Sequence, residues 1–181
     1  MVKALVLMAE GFEEIEISNI VDILRRGGVS VTVAGLQDGL IKGAHGMKMQ
    51  PDTALDSVKE EHDIIILPGG YPGFVNLGKD QRVLGLVKKY EGSGKNVAAI
   101  CGAPSVLAKA GILSGKKATI YKGMEGELKD AQVTDQAVVE DGKLITSQGP
   151  GTAMEFALKV LEKLTNAKKA TEIKQQLLFK G

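Results

Sequence analysis

Cys101 is the only cysteine in this 181-residue chain, and it stands where an apolar run, Val97-Ala98-Ala99-Ile100, breaks into Gly102-Ala103-Pro104 and a helix-like stretch from Ser105 to Ala110. A side chain held on a sharp strand-to-helix turn projects from the edge of a sheet, and the amides that open the helix offer donors and the positive end of a dipole. That is the setting of a nucleophile elbow, and it favours the thiolate. A lone buried cysteine is otherwise a small, inert core residue. The turn context sets Cys101 apart from that reading.

Glu16 is the second candidate, because steps of four from it reach Ile20 and Leu24 and so place its carboxyl on the buried side of a helix. Beside a thiolate in a poorly solvated site, two anions repel; the carboxyl is then more stable protonated, donating a hydrogen bond to sulfur. The alternative is that Glu16 belongs with Glu13 and Glu14 to an acidic first turn and nothing more. Gly69-Gly70 after a buried strand reads as turn chemistry, or as bare amides that, with the amide of Gly102, would cradle an oxyanion next to Cys101.

The histidines offer Cys101 no defensible partner. His62, in Lys59-Glu60-Glu61-His62-Asp63, reads as solvated, and His45, in Gly43-Ala44-His45-Gly46, reads as a surface loop residue. Two histidines and one cysteine also lack the ligand clusters of a zinc site, and no Walker or dinucleotide fingerprint occurs, so neither a metal nor a cofactor is expected. Gly149-Pro150-Gly151-Thr152 precedes a helix, with Thr152 as an ordinary N-cap.

Elements that could position these residues follow from the hydrophobic pattern. Lys3 to Met8, Val29 to Ala34, Asp63 to Leu67 and the run into Cys101 are short, nearly all-apolar strands of the kind buried on both faces of a parallel sheet. Ile17, Ile20, Val21 and Leu24 mark a helix ended by Gly27-Gly28, and Val83 to Tyr90 a second one stopped by Gly92. Leu40–Lys42 and Met47–Met49 read as a small hairpin, Ala118-Thr119-Ile120 as a further strand, and 138–140 with 144–146 as a hairpin about Asp141-Gly142. Helices over 154–164 and roughly 168–178 close the chain. Alternating strands and helices imply a mostly parallel sheet covered on both faces, with ligands at the carboxyl ends of the strands. Three loops should meet there: 9–16, 68–73 and the Cys101 turn.

Composition narrows the function classes. With 44% hydrophobic and 25% charged residues, 181 residues fit one domain spanning 1–181 that needs no disulfide, which suits the cytoplasm. A net charge of +1 with mixed signs and 4% aromatic residues argues against a nucleic-acid partner. No apolar run reaches membrane-spanning length, and Glu10 comes too early for a signal peptide.

Taken together and in order, Glu13-Glu14-Ile15-Glu16, Val31 to Leu36, Leu67-Pro68-Gly69-Gly70, Ala98-Ala99-Ile100-Cys101, Thr146 to Thr152 and Glu155-Phe156-Ala157-Leu158 resemble the DJ-one/ThiJ/PfpI superfamily, on its DJ-one and bacterial ThiJ-like branch. The resemblance implies a flavodoxin-like, three-layer α/β sandwich with an extra C-terminal helix, and a homodimer. It implies that Cys101 is the nucleophile, Glu16 its protonated partner, and Gly70 and Gly102 the amide donors. Gly102 follows Cys101 where peptidase-like members place a histidine, which argues against protease activity. In DJ-one a histidine reaches the cysteine from the segment after a later strand; the matching residue here is Tyr121, which can orient a substrate but is a poor base near neutral pH. Catalysis is then weak or uses Glu16 as proton shuttle. Two functions follow: a glutathione-independent glyoxalase or deglycase acting on methylglyoxal, glyoxal or their protein adducts, or a redox-responsive stress protein or chaperone whose cysteine oxidises to sulfinate.

Overall fold

The computed structural model describes residues 1–180. Its strands are β1 (Lys3–Met8), β2 (Ser30–Gly35), β3 (Ile41–Lys42), β4 (Lys48–Met49), β5 (Thr53–Ala54), β6 (Ile64–Leu67), β7 (Asn96–Ile100), β8 (Lys117–Ala118), β9 (Gln132–Val133), β10 (Val138–Asp141) and β11 (Leu144–Ser147). The helices are α1 (Glu14–Arg26), α2 (Gly73–Lys79), α3 (Gln81–Gly92), α4 (Pro104–Lys109), α5 (Ala153–Leu164) and α6 (Ala167–Gln176). Seven strands form the main sheet in the order β10-β11-β7-β6-β1-β2-β5, parallel throughout except for the β10–β11 hairpin. The five long parallel strands thus run second, first, third, fourth, fifth, the flavodoxin-like order whose direction reverses between β1 and β6.

Alternation along each strand divides the core into two layers. Ala4, Val6 and Met8 of β1 face α1 and α5 with Ile64, Ile66, Ala98 and Ile100, while Leu5 and Leu7 face the opposite way with Ile65, Leu67, Val97 and Ala99 against α3 and α4. Burial on both faces is why these strands read as unbroken apolar runs rather than alternating ones. Helix α6 adds Ile173 to the first layer, and the Asn166 side chain caps its start by accepting from the amide of Lys169 at 2.9 Å.

Departures from the sequence reading trace to contacts that local hydrophobic pattern does not encode. The strand expected at Ala118-Thr119-Ile120 shortens to β8, which pairs with β9 outside the main sheet. The amide of Thr119 donates instead to Thr146 Oγ1 at 3.0 Å and that of Tyr121 to the carbonyl of Cys101 at 2.9 Å, so the backbone is drawn to the elbow before a longer ladder forms. Helix α2 has no sequence signal: it is seven residues long with two glycines and no side-chain cap. Thr152 is no ordinary cap. Its hydroxyl turns back to Ser147 Oγ at 2.7 Å and to Gly149 at 2.9 Å, and no side chain caps the start of α5. His62 is buried, not solvated, with Nε2 3.2 Å from Thr32 Oγ1; it precedes β6 and so lies at the amino ends of the strands, away from their carboxyl edge.

Candidate active site

The three expected loops do converge at the carboxyl edge of the sheet, on both sides of the point where strand order reverses. Their backbones tie them together: the Glu13 amide donates to the Gly69 carbonyl at 3.0 Å, and the Gly73 amide to the Gly11 carbonyl at 3.1 Å. Cys101 follows β7 directly, with its amide donating to Ser147 of β11 at 3.0 Å. Its φ of 62° lies in the left-handed region, which costs a residue with a side chain on the order of 1–3 kcal/mol and occurs where the surrounding structure enforces it. The elbow is therefore real, and it turns the partly exposed sulfur toward the loops after β1 and β6.

Glu16, on the first turn of α1, is completely buried and reaches that sulfur from below. Its Oε2 accepts from the Gly69 amide at 2.7 Å, whereas Oε1 is buried with no hydrogen-bond partner. Only glycine fits at 69: a Cβ there would stand 2.5 Å from the Cys101 Cβ, 2.9 Å from Glu16 Oε2 and 3.0 Å from the Cys101 sulfur. The missing side chain is what lets carboxyl and sulfur meet. Gly70 adopts φ +89°, and its amide, with that of Gly102, donates to the sulfur. The amide of Gly69, by contrast, is spent on Glu16 and is not open to an oxyanion.

Burial pushes the Glu16 carboxyl up to about 7, against the opposing pull of the Gly69 amide and the Cys101 thiol. Burial, and next the Glu16 charge, push the Cys101 thiol up to about 12, against the Gly70 and Gly102 amides. The helix start alone does not lower the thiol, as the elbow suggested; part of the rise comes from the Glu16 charge and is absent when Glu16 holds the shared proton. The two groups form one titrating unit, which between these values holds one proton and one negative charge in common.

A cavity of about 670 Å³ opens above the pair, lined by Cys101, Gly70, Gly102, Tyr121, His45 and Phe74 among others. Both Tyr121 and His45 line it. Tyr121 is brought there by its backbone bond to Cys101, and His45 by Glu14, which accepts from the His45 amide at 2.8 Å and from Nδ1 at 3.0 Å. That placement was not legible in the sequence, because the excursion that carries His45 is docked by a carboxylate 31 residues away. Phe74, on the unanticipated α2, also walls the cavity and packs over Gly102, where a Cβ would stand 2.6 Å from its ring. Among the described residues, Glu13, Glu14 and His45 are the one set whose potential ligand atoms lie within 4.8 Å of one another. Glu14 already uses its oxygens on His45 and the Met47 amide, so internal partners account for the cluster without an ion.

The shared proton has a consequence for stability. Below pH 4.5 the raised Glu16 contributes its full stabilisation; as pH rises through about 7 the folded state releases a proton that the unfolded chain has already lost, and stability falls. A second fall begins above pH 9, where the unfolded thiol ionises and the folded pair still keeps its remaining proton. Chemical denaturation across pH, compared with the Glu16→Gln/Cys101→Ser variant, should show the wild type losing relative stability from pH 4.5 to 7, a plateau to about 9, and a further loss above it. A difference curve that is flat from pH 4.5 to 7 would contradict the buried pair.

Comparison with known proteins identifies the family. The model of the DJ-1/PfpI family matches residues 2–163. Drosophila melanogaster Protein dj-1beta is 45% identical over 179 residues, covering 97% of this chain and 96% of that one, and the crystal structure of Drosophila DJ-1beta superposes with a TM-score of 0.95 over 98% of this chain and 97% of its own. The Caenorhabditis elegans protein named glutathione-independent glyoxalase DJR-1.2 is 40% identical over 180 residues, 96% of this chain and 95% of the relative. The structure of oxidized Toxoplasma gondii DJ-1 has a TM-score of 0.96 at 35% identity and covers all of both chains. This chain belongs to the DJ-1/PfpI family.

Proposed function

We propose that the protein is a cysteine-dependent, glutathione-independent glyoxalase or deglycase acting on methylglyoxal, glyoxal or the adducts they form on proteins. The observation that carries this reading is the buried Glu16–Cys101 pair at the floor of an open cavity with amide donors on the sulfur. An ionised Glu16 would leave Oε1 buried without a partner, which is unfavourable by about 1–3 kcal/mol or more. A neutral, protonated Glu16 costs less to bury than the carboxylate, and the charge then rests on the sulfur, which is partly exposed and has two amide donors. The relative named as a glyoxalase supports the same chemistry.

The steps balance without a cofactor. The Cys101 thiolate adds to the aldehyde carbon, and the new alkoxide, stabilised by the Gly70 and Gly102 amides, takes the Glu16 proton to give a hemithioacetal. The Glu16 carboxylate then removes the proton from that carbon and returns it to the neighbouring one. The hydroxyl proton moves between the two oxygens, to either of which Tyr121 can donate. One carbon is oxidised and its neighbour reduced, leaving a 2-hydroxyacyl thioester that water cleaves to the hydroxy acid and free Cys101.

A redox-responsive role is the second reading, favoured by the partly exposed sulfur beside two amide donors that would also hold a sulfinate, and by the oxidized relative. We also propose that the protein works as a homodimer in the cytoplasm, a reducing compartment that suits a free thiol. Ile15 and Met47, exposed by 53% and 58%, flank Glu14 beside the cavity: Ile15 follows it in the chain, and the Met47 amide donates to it at 3.3 Å. A second copy is the occupant we assign to that apolar face.

Pure protein should convert methylglyoxal to lactate, with Cys101→Ser reducing turnover to background and Glu16→Gln reducing it by about 10²-fold or more, since it keeps the shape but not the shuttle. Lactate formation equal in wild type and Cys101→Ser would refute the enzyme reading. Mild peroxide followed by intact-mass analysis should add oxygen atoms stepwise at Cys101, and an unmodified thiol at several equivalents would exclude the redox role. Sedimentation should give a dimer that Ile15→Glu dissociates; a wild-type monomer at micromolar concentration would remove the assembly.

A further inference from the structure

The steps above leave one titratable pair in the cavity unused. Glu14, buried at the start of α1, accepts from the His45 amide at 2.8 Å and from Nδ1 at 3.0 Å, and Glu13 Oε1 lies 3.6 Å from the same nitrogen. The imidazole side chain is 72% exposed and lines the cavity that Cys101 and Tyr121 also line. With Nδ1–H committed to Glu14, Nε2 is the free nitrogen, and in the neutral ring it carries the basic lone pair. The Glu14 hydrogen bond first, then the charges of Glu13 and Glu14, hold the ring above the ordinary histidine value, which makes it a stronger base.

The hydrolytic step needs such a group. Glu16 lies beneath the sulfur with no exposed surface, so it does not meet incoming water. Tyr121 already has a part in the steps above, as a donor to the substrate oxygens. His45 is open to solvent on one side and to the cavity on the other.

We propose that His45 is the general base for hydrolysis of the Cys101 thioester, with Glu14 as the residue that positions it. This rests on the glyoxalase reading. The oxygen of a water molecule bonds to the thioester carbon as one of its protons passes to His45 Nε2. The carbon–sulfur bond then breaks, its electron pair returns to Cys101, and the imidazolium releases its proton to solvent. Water is the only co-reactant.

The test is methylglyoxal turnover by the wild type, Cys101→Ser, His45→Ala and His45→Gln, with the last retaining a donor for Glu14 so that a folding defect is separated from lost basicity. Both His45 variants should keep a rapid first turnover, accumulate a hydroxylamine-sensitive 2-hydroxyacyl thioester on Cys101, and slow in steady state by about 10²-fold. Added imidazole should restore His45→Ala. Glu14→Gln should shift the acid limb of the steady-state pH profile downward while leaving the first turnover unchanged. Wild-type turnover with a dead Cys101→Ser and unaltered His45 variants would overturn this inference and spare the glyoxalase reading. Loss of the first turnover in both His45 variants would overturn it too, by placing His45 before the thioester. Full activity of Cys101→Ser would overturn both, since no thioester would form.

Discussion

A carboxyl and a sulfur brought together without water are the constraint on which the rest of this site depends. Glu16 has no solvent exposure, and its nearest titratable neighbour is the one cysteine of the chain. Two negative charges in that space would each lack hydration and would repel, so the pair retains a proton over the physiological range. Everything near it serves either to make room or to decide where the remaining charge rests. Gly69 makes room because any side chain would collide with both groups, and its amide fixes the carboxyl from one side.

The fold supplies the positions. In a doubly wound sheet the loops after the strands on either side of the reversal point gather in one crevice, and here they carry Glu16, Gly69-Gly70 and Cys101 in turn. Backbone bonds between these loops, and from Tyr121 to Cys101, hold the left-handed elbow against its own strain. The cavity above is graded: a buried proton-sharing pair at the floor, aromatic side chains on the walls, and a carboxylate–imidazole pair at the solvent side. In the proposed reaction such a gradient separates chemistry that must exclude water from chemistry that consumes it.

Features that depend on local pattern were legible in the chain. The buried parallel strands read as apolar runs, and the elbow as a strand broken by Gly102-Ala103-Pro104; β1 begins and ends where that pattern says. Glu16 was legible because helical periodicity alone turns it inward. What stayed hidden depends on partners distant in sequence. His62 lies in a polar stretch, but its ring is covered when the strand packs against Thr32, 30 residues away. His45 looked like surface because the Glu14 carboxyl that holds it at the cavity belongs to another element. Phe74 was hidden for a different reason: its helix is short, glycine-containing and uncapped, and is held by packing and by bonds from Gly73 and Asn76 to the loop after β1.

In the proposed reaction the negative charge of the pair rests on sulfur while Glu16 keeps the proton. With a single cysteine, the ultraviolet absorbance of the thiolate can be followed against pH without interference from other thiols, using Cys101→Ser as the blank. Thiolate should appear in a transition at or below about pH 7, where the pair loses its first proton, and Glu16→Gln should move the transition. A thiol that stays protonated beyond the ordinary cysteine value of about 8.5 would put the charge on Glu16 and overturn this assignment.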